Sequence, residues 1–203
     1  MIKNVIFDLG GVLINTDPSE YLRKYGYDEE KFKALLGAIW SDSIWTEMDL
    51  ALYDSFEDMI EVYVSRHREL ENELRSFFAG NWFEVYSVFK DTLSFYNEIC
   101  DRGYNVFLLT NFSKEGYDYI SNKFGFFKRA EGAVVSSHIR IAKPDIKIYK
   151  HFLETYNLNP VECVFVDDSA ANIKAANELD MHGIVYNGIE SLRSEFKLIT
   201  ETK

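Results

Sequence analysis

The sequence predicts an α/β fold: a Rossmann-like, doubly wound parallel sheet with an inserted α-helical cap. Three observations carry this reading. From about residue 91 onward, short apolar runs alternate with segments of helical period, which implies βαβ crossovers and a parallel sheet covered on both faces. Three of the apolar runs end in polar or acidic residues: Asp8, Thr110 and the pair Asp167-Asp168. Between the first run and the rest lies a stretch, 16–90, with no clear strand signal and apolar residues at helical spacing.

The elements follow in chain order. Residues 4–8 read as a short buried strand ending in a carboxylate and broken by Gly10-Gly11. In the inserted stretch, Phe56, Met59, Ile60 and Tyr63 share one helical face, and Leu70 and Leu74 another. The stretch is rich in aromatics, including Trp40, Trp45, Trp82 and Phe83, and reads as a small helical bundle whose aromatics mainly form its core. Asp91 is placed to N-cap a helix carrying Leu93, Tyr96, Ile99 and Cys100 and ending at Gly103. A strand at 105–109 ends at Thr110, and Ser113 caps the next helix. Ala133-Val134-Val135 is a strand; Ile146, Tyr149, Phe152, Leu153 and Tyr156 line a helix. Strand 163–166 leads into Asp167-Asp168 and a helix through Ile173, Ala176 and Leu179, and 183–186 is the last strand. The core therefore comprises 1–15 and 91–203, and the cap 16–90. An insertion at the carboxyl end of the first strand lies where open α/β sheets bind ligands, so it is placed to act as a lid.

Composition narrows the function. Of 203 residues, 47% are hydrophobic, enough for a sizeable core. With 33 acidic against 22 basic residues, the net charge of -11 argues against nucleic-acid binding. It would also repel a small anion, unless a bound cation and local lysines such as Lys114 and Lys143 reverse the field at the site. Cys100 and Cys163 read as buried thiols of a reducing compartment. No signal peptide and no membrane span is apparent, so a cytoplasmic protein with no membrane partner, monomeric or weakly dimeric, is expected. His67, His138, His151 and His182 are scattered, without metal-ligand spacing.

The chemistry resides at the strand ends, which share one edge of a parallel sheet. An aspartate there also serves as a helix N-cap or turn residue. Adjacent carboxylates repel, however, and Asp167-Asp168 with a converging Asp8 calls for a cation or a proton. An all-oxygen donor set suits Mg²⁺. Lys143 alone would be a solvated lysine, but Pro144 after it fixes a turn ahead of a helix.

Four segments in order resemble the haloacid dehalogenase superfamily: Val5-Ile6-Phe7-Asp8-Leu9-Gly10-Gly11-Val12-Leu13; Leu108-Leu109-Thr110-Asn111; Lys143 in Ala142-Lys143-Pro144-Asp145; and Phe165-Val166-Asp167-Asp168-Ser169 followed by Asn172-Ile173. The cap position resembles subfamily I, with its C1 helical cap. The Asp-Leu-Gly start is similar to a subgroup that includes a glucose-1-phosphate phosphatase. The resemblance implies a phosphohydrolase of a small phosphorylated substrate, with sugar phosphates favoured. Asp8 would be the nucleophile, forming an aspartyl-phosphate that water hydrolyses. Leu9, Gly10, Thr110 and Asn111 would bind substrate, and Lys143 would neutralise charge. Asp8, the Gly10 carbonyl and Asp168 would hold Mg²⁺, with Asp167 assisting and Asn172 supporting the loop.

One departure stands out. The family's phosphatases usually carry an acid–base aspartate two residues after the nucleophile, and here that residue is Gly10. General acid catalysis is worth about 10²–10⁴-fold. Its loss implies a good leaving group such as a sugar 1-phosphate, a donor elsewhere (Asp17 being nearest in sequence, although it is also placed to cap the helix starting at Pro18), or weak or absent activity. The alternatives are a 2-haloacid dehalogenase, in which an aspartate attacks carbon without a metal, and a non-catalytic protein that kept the fold. The dehalogenases usually place an aromatic at the Gly10 position, and the second alternative rests on Gly10 alone. Epoxide-hydrolase-associated domains share a similar start, but no second hydrolase domain is apparent.

Overall fold

The computed structural model describes residues 1–41 and 43–201. In chain order the elements are β1 (Asn4–Phe7), β2 (Ile14–Asn15), α1 (Ser19–Arg23), α2 (Glu29–Ser41), α3 (Ile44–Asp49), α4 (Phe56–Arg66) and α5 (Glu71–Ala79). They continue with β3 (Ser87–Val88), α6 (Lys90–Asp101), β4 (Asn105–Thr110), α7 (Lys114–Lys123), β5 (Gly132–Val135), α8 (Ser136–Ile139) and α9 (Ile146–Thr155). The chain closes with β6 (Cys163–Asp167), α10 (Ala170–Asn177), β7 (His182–Val185) and α11 (Ile189–Glu201).

Five strands form a parallel sheet in the order β5-β4-β1-β6-β7. The central strand, β1, is apolar on both faces because both are covered. Val5 and Phe7 join Val106, Leu108, Val164 and Val166 in one cluster, under Phe95 and Ile99 of α6 and Phe196 of α11. Ile6 joins Phe107, Leu109 and Phe165 in the other, under Ile148 and Phe152 of α9 and Ile173 of α10. Chain order leaves β1 for β4 on one side and returns to β6 on the other, so the strand order reverses at β1. Its carboxyl end is where such sheets open a crevice.

The helices α1 to α5 occupy the interval between β2 and β3, two-residue strands that pair antiparallel (Ile14 with Val88, Asn15 with Ser87) to make a stem. The sequence predicts no strands here, because two residues are too few to show a period. Trp82 is the buried centre of the helical layer, stacked on Phe83 at 4.3 Å and in edge contact with Phe78 and Trp45. Most cap aromatics are thus bundle core, whereas Trp40 remains 43% exposed.

Three local expectations need correction. Asp91 does not cap α6: that helix begins at Lys90 with Phe89 at its cap position, where the Phe89 N–H is already held by the Leu13 carbonyl at 3.0 Å. Helix α1 begins at Ser19, and exposed Asp17 accepts the Ser19 N–H at 2.8 Å. Of the two free thiols, Cys163 is buried and Cys100 only half-buried. No helix among the described residues is long and apolar enough to cross a membrane.

Candidate active site

Asp8 directly follows β1, and its N–H still pairs with the Val166 carbonyl at 2.9 Å, so the sheet itself fixes its backbone. The chain then reverses tightly, with the amides of Leu13 and Ile14 on the Leu9 carbonyl at 2.9 and 2.7 Å. Gly11 makes this possible at φ +73°, a left-handed conformation costly for other residues. A Cβ on Gly11 would also lie 2.2 Å from Asp168 Oδ2, so glycine is what lets the Asp168 carboxylate close onto this turn. Gly10 differs. A Cβ there would meet only Thr16 Cγ2, at 3.7 Å, so the backbone does not demand glycine.

Lys143 sits at the centre, with a side chain 1% exposed. Its ammonium donates to Asp167 Oδ2 at 2.7 Å and to the Leu109 carbonyl at 3.0 Å, and lies 2.9 Å from Asp8 Oδ1. That satisfies all three of its protons. Its backbone is clamped by the Asn111 amide, which donates to the Lys143 carbonyl at 2.9 Å and accepts its N–H at 2.8 Å. Asp167, wholly buried, gives its other oxygen to the Ser169 N–H at 2.8 Å and the Asn172 amide at 2.9 Å. The Leu9 N–H adds a 2.7 Å bond to Asp8 Oδ1. The Thr110 hydroxyl, fully buried, faces the Asp8 carboxylate.

Burial drives the Asp8 carboxyl upward; Lys143 pulls it back, and the Asp167 charge pushes it up again. For Lys143 burial acts downward, but the charges of Asp8 and Asp167 outweigh it and hold the ammonium above its usual range. Between two carboxylates, with its geometry satisfied, Lys143 stays charged. The Asp8, Asp167 and Asp168 carboxylates each offer an oxygen within 4.8 Å of the others. One ammonium against three carboxylates, two buried and the exposed Asp168, leaves net negative charge, and hard oxygen donors suit a divalent cation there. The residues present therefore fit Mg²⁺.

Above Asp8 lies a cavity of about 220 Å³. The core gives it Asp8, Gly10, Lys143, Asn111 and Ser113; the cap gives it Trp40, Trp45 and Asp49, and Tyr86 closes the stem side. The structure thus brings together Asp8, Leu9, Gly10, Thr110, Asn111, Lys143, Asp167, Asp168 and Asn172. Thr110 does not line this cavity, and the Asn111 side chain is spent on Lys143, which leaves its backbone for a ligand.

Sequence reasoning misses Asp49. This half-buried carboxyl ends α3 and faces the Ser113 N–H, and burial and the Asp8 charge push it up to about 8 against the pull of Lys143. The available signal was an acidic residue in the last turn of a helix, where the macrodipole disfavours a negative charge. The α3 terminus is pinned to the core: the Ser136 hydroxyl donates to the Asp49 carbonyl and accepts the Phe112 N–H at 3.1 Å. Burial, then the Asp49 charge, raise Tyr86 well above its ordinary value.

Residues 2–180 match the family model of haloacid dehalogenase-like hydrolases. Among curated relatives, a putative phosphatase, YhcW, of Bacillus subtilis (strain 168) is 24% identical over 91% of the chain and 83% of its own length. Drimenol cyclase of Aspergillus calidoustus is 21% identical over 92% of the chain, but the chain spans only 34% of that enzyme. In structure, a haloacid dehalogenase family enzyme from Bacteroides thetaiotaomicron, crystallised with magnesium and inorganic phosphate, superimposes with a TM-score of 0.65 at 22% identity, covering 91% of this chain and 93% of that one.

Proposed function

The chain belongs to the haloacid dehalogenase-like hydrolases, and we propose that it is a magnesium-dependent phosphohydrolase of small phosphorylated metabolites, sugar phosphates first among them. The observation that carries this is the buried Asp8–Lys143–Asp167 cluster, with Asp168 beside it, of which Asp8 and Lys143 line a cavity between core and cap.

In this reading an Asp8 oxygen attacks phosphorus, the ester oxygen leaves, and water then hydrolyses the aspartyl-phosphate. The Leu9 N–H and Lys143 hold Asp8 Oδ1 and so fix the plane of the attacking carboxylate. Lys143 offsets charge at the nucleophile. Asp8, Asp168 and the Gly10 carbonyl are the groups that would hold Mg²⁺, which supplies charge stabilisation to the phosphoryl oxygens. Both Asp167 oxygens already accept protein hydrogen bonds, so its part is to hold Lys143 and the Asn172 loop. Trp40 and Trp45, 5.5 Å apart between ring centroids, give the cavity an aromatic wall against which the C–H face of a sugar can lie.

The relative named as a phosphatase, aligned over most of both chains, supports phosphate over halide chemistry. So does Gly10, which stands where a dehalogenase usually has an aromatic. The test is a panel of phosphorylated metabolites and 2-haloacids, with and without Mg²⁺. Phosphate release is expected from sugar phosphates, lost on chelation and with a weakened Mg²⁺ affinity in Asp168→Ala. Halide release, or phosphate release indifferent to chelation, would overturn the reading.

A further inference from the structure

The proton donor that Gly10 lacks has a replacement in the cap. We propose that Asp49 is the general acid and base of this enzyme, reaching the leaving oxygen from the cap side of the cavity that Asp8 floors. The proposal rests on the phosphohydrolase reading above and deepens it.

Four observations support the assignment. Asp49 and Asp8 line the same cavity, one contributed by the cap and one by the core. In-line displacement needs a nucleophile on one side of the phosphoryl group and an acid on the other, and this cavity is lined by one carboxyl from each layer. Asp49 is also left available for proton transfer, since among the described residues no lysine, arginine or histidine forms an ion pair with its carboxylate. The groups that face it are the Ser113 N–H, Asp8, Lys143 and the Tyr86 hydroxyl. Its placement is enforced, since its own carbonyl is tied through Ser136 to the Phe112 N–H, next to Asn111. Finally, its environment keeps the proton on. Burial and the end of α3 both disfavour the anion. A carboxyl group that favours its neutral form is what leaving-group protonation needs.

Asp17, the alternative nearest in sequence, is exposed, accepts from the Ser19 N–H and hydroxyl, and does not line the cavity. The room left at Gly10 fits the same account. The backbone there would accept a side chain, so packing does not demand the glycine, and an acid supplied from the cap is compatible with it.

The steps balance. In the first, the bond from the Asp8 oxygen to phosphorus forms as the ester P–O bond breaks, and the Asp49 proton passes to the departing oxygen, releasing an alcohol. In the second, the Asp49 carboxylate takes a proton from the water whose oxygen attacks phosphorus. The bond from the Asp8 oxygen to phosphorus breaks as phosphate leaves, so Asp8 is again a carboxylate and Asp49 again carries its proton.

The test is kcat/KM for Mg²⁺-loaded wild type, Asp49→Asn and Asp49→Asn/Gly10→Asp across alkyl and aryl phosphates of graded leaving-group acidity. Wild type should show a shallow dependence. Asp49→Asn should lose about 10²–10⁴-fold on alkyl phosphates and far less on an activated aryl phosphate, giving a steep dependence that Gly10→Asp partly flattens. The wild-type rate should fall on the alkaline side as Asp49 loses its proton, and this limb should vanish in Asp49→Asn. A steep dependence in wild type overturns the proposal without any variant. So does an Asp49→Asn protein as fast as wild type on alkyl phosphates. Absence of turnover on every phosphate, activated ones included, would instead overturn the phosphohydrolase reading itself.

Discussion

The core and the cap build their halves of the site in opposite ways. On the core side each charged group is over-determined: Lys143 has three acceptors, Asp167 has three donors, and Asp8 is held by its backbone in the sheet and by two donors on one oxygen. On the cap side aromatic rings pack around Trp82, and Asp49 faces one backbone N–H and is held in place through one serine. The core half is therefore preorganised whatever the cap does. The cap half is complete only while α3 rests on the core. Electrostatic preorganisation belongs to groups that cannot relax, and proton transfer and substrate choice can be entrusted to a separate layer held by fewer contacts.

The sharpest way to break this comparison is at the nucleophile. Asp8→Asn should lower turnover by about 10⁴-fold or more, because the amide cannot form the acyl-phosphate. It should not unfold the protein, since it removes one of three clustered negative charges and keeps the shape. Both are read together as single-turnover rates and urea midpoints. Turnover near the wild-type rate in a folded Asp8→Asn protein would remove the core half from the chemistry altogether.

Most of the core half was legible in the sequence, and little of the cap half was. Strands such as Val164-Phe165-Val166 declare themselves because burial on both faces leaves a continuous apolar run, and their ends carry Asp8, Thr110 and Asp167 by construction. Lys143 lay in a loop, and its neighbouring proline marked it. What sequence could not show was that the ammonium is fully spent on Asp8, Asp167 and Leu109, or that Asn111 serves it through its side chain. In the cap, helical period separates the buried Met59, Ile60 and Tyr63 from the outer face, but it does not say which outer positions meet the core. Asp49 and Ser136 are 87 residues apart, and their contact depends on how one layer settles on the other. No local pattern encodes that.

The next test separates stability from catalysis within the core. Lys143→Met should cost about 3–5 kcal/mol in urea unfolding, the usual penalty for removing one partner of a buried ion pair. It leaves Asp8 and Asp167 buried against each other without a counter-charge. Part of the loss should return with Mg²⁺, through binding to the folded state alone. Activity should also fall, because the carboxylate of Asp8 loses a donor and is pushed towards its neutral form. A Lys143→Met protein as stable as wild type at neutral pH would mean that the cluster relaxes, and the contrast with the cap would lose its basis.

The smallest effect probes the seam. Ser136 is wholly buried, and Ser136→Ala removes the hydroxyl that joins the Asp49 carbonyl to the Phe112 N–H. Leaving two backbone groups short of a partner should cost about 1–3 kcal/mol. A purely structural serine would stop there, with rates on all phosphates unchanged or lowered together. As a positioning residue for Asp49, Ser136 has a second signature: Ser136→Ala should slow alkyl phosphates more than activated aryl phosphates, in the same sense as Asp49→Asn but by a smaller factor. The double-mutant cycle decides between them. If Ser136 acts on the rate through Asp49, adding Ser136→Ala to Asp49→Asn should lower stability again but leave the alkyl-phosphate rate where Asp49→Asn had put it. Independent sites would instead lower the rate by the product of the two factors. A full product would detach the serine from the acid and return it to packing, while a null effect on rate in the double variant would tie proton delivery to how the cap is seated on the core.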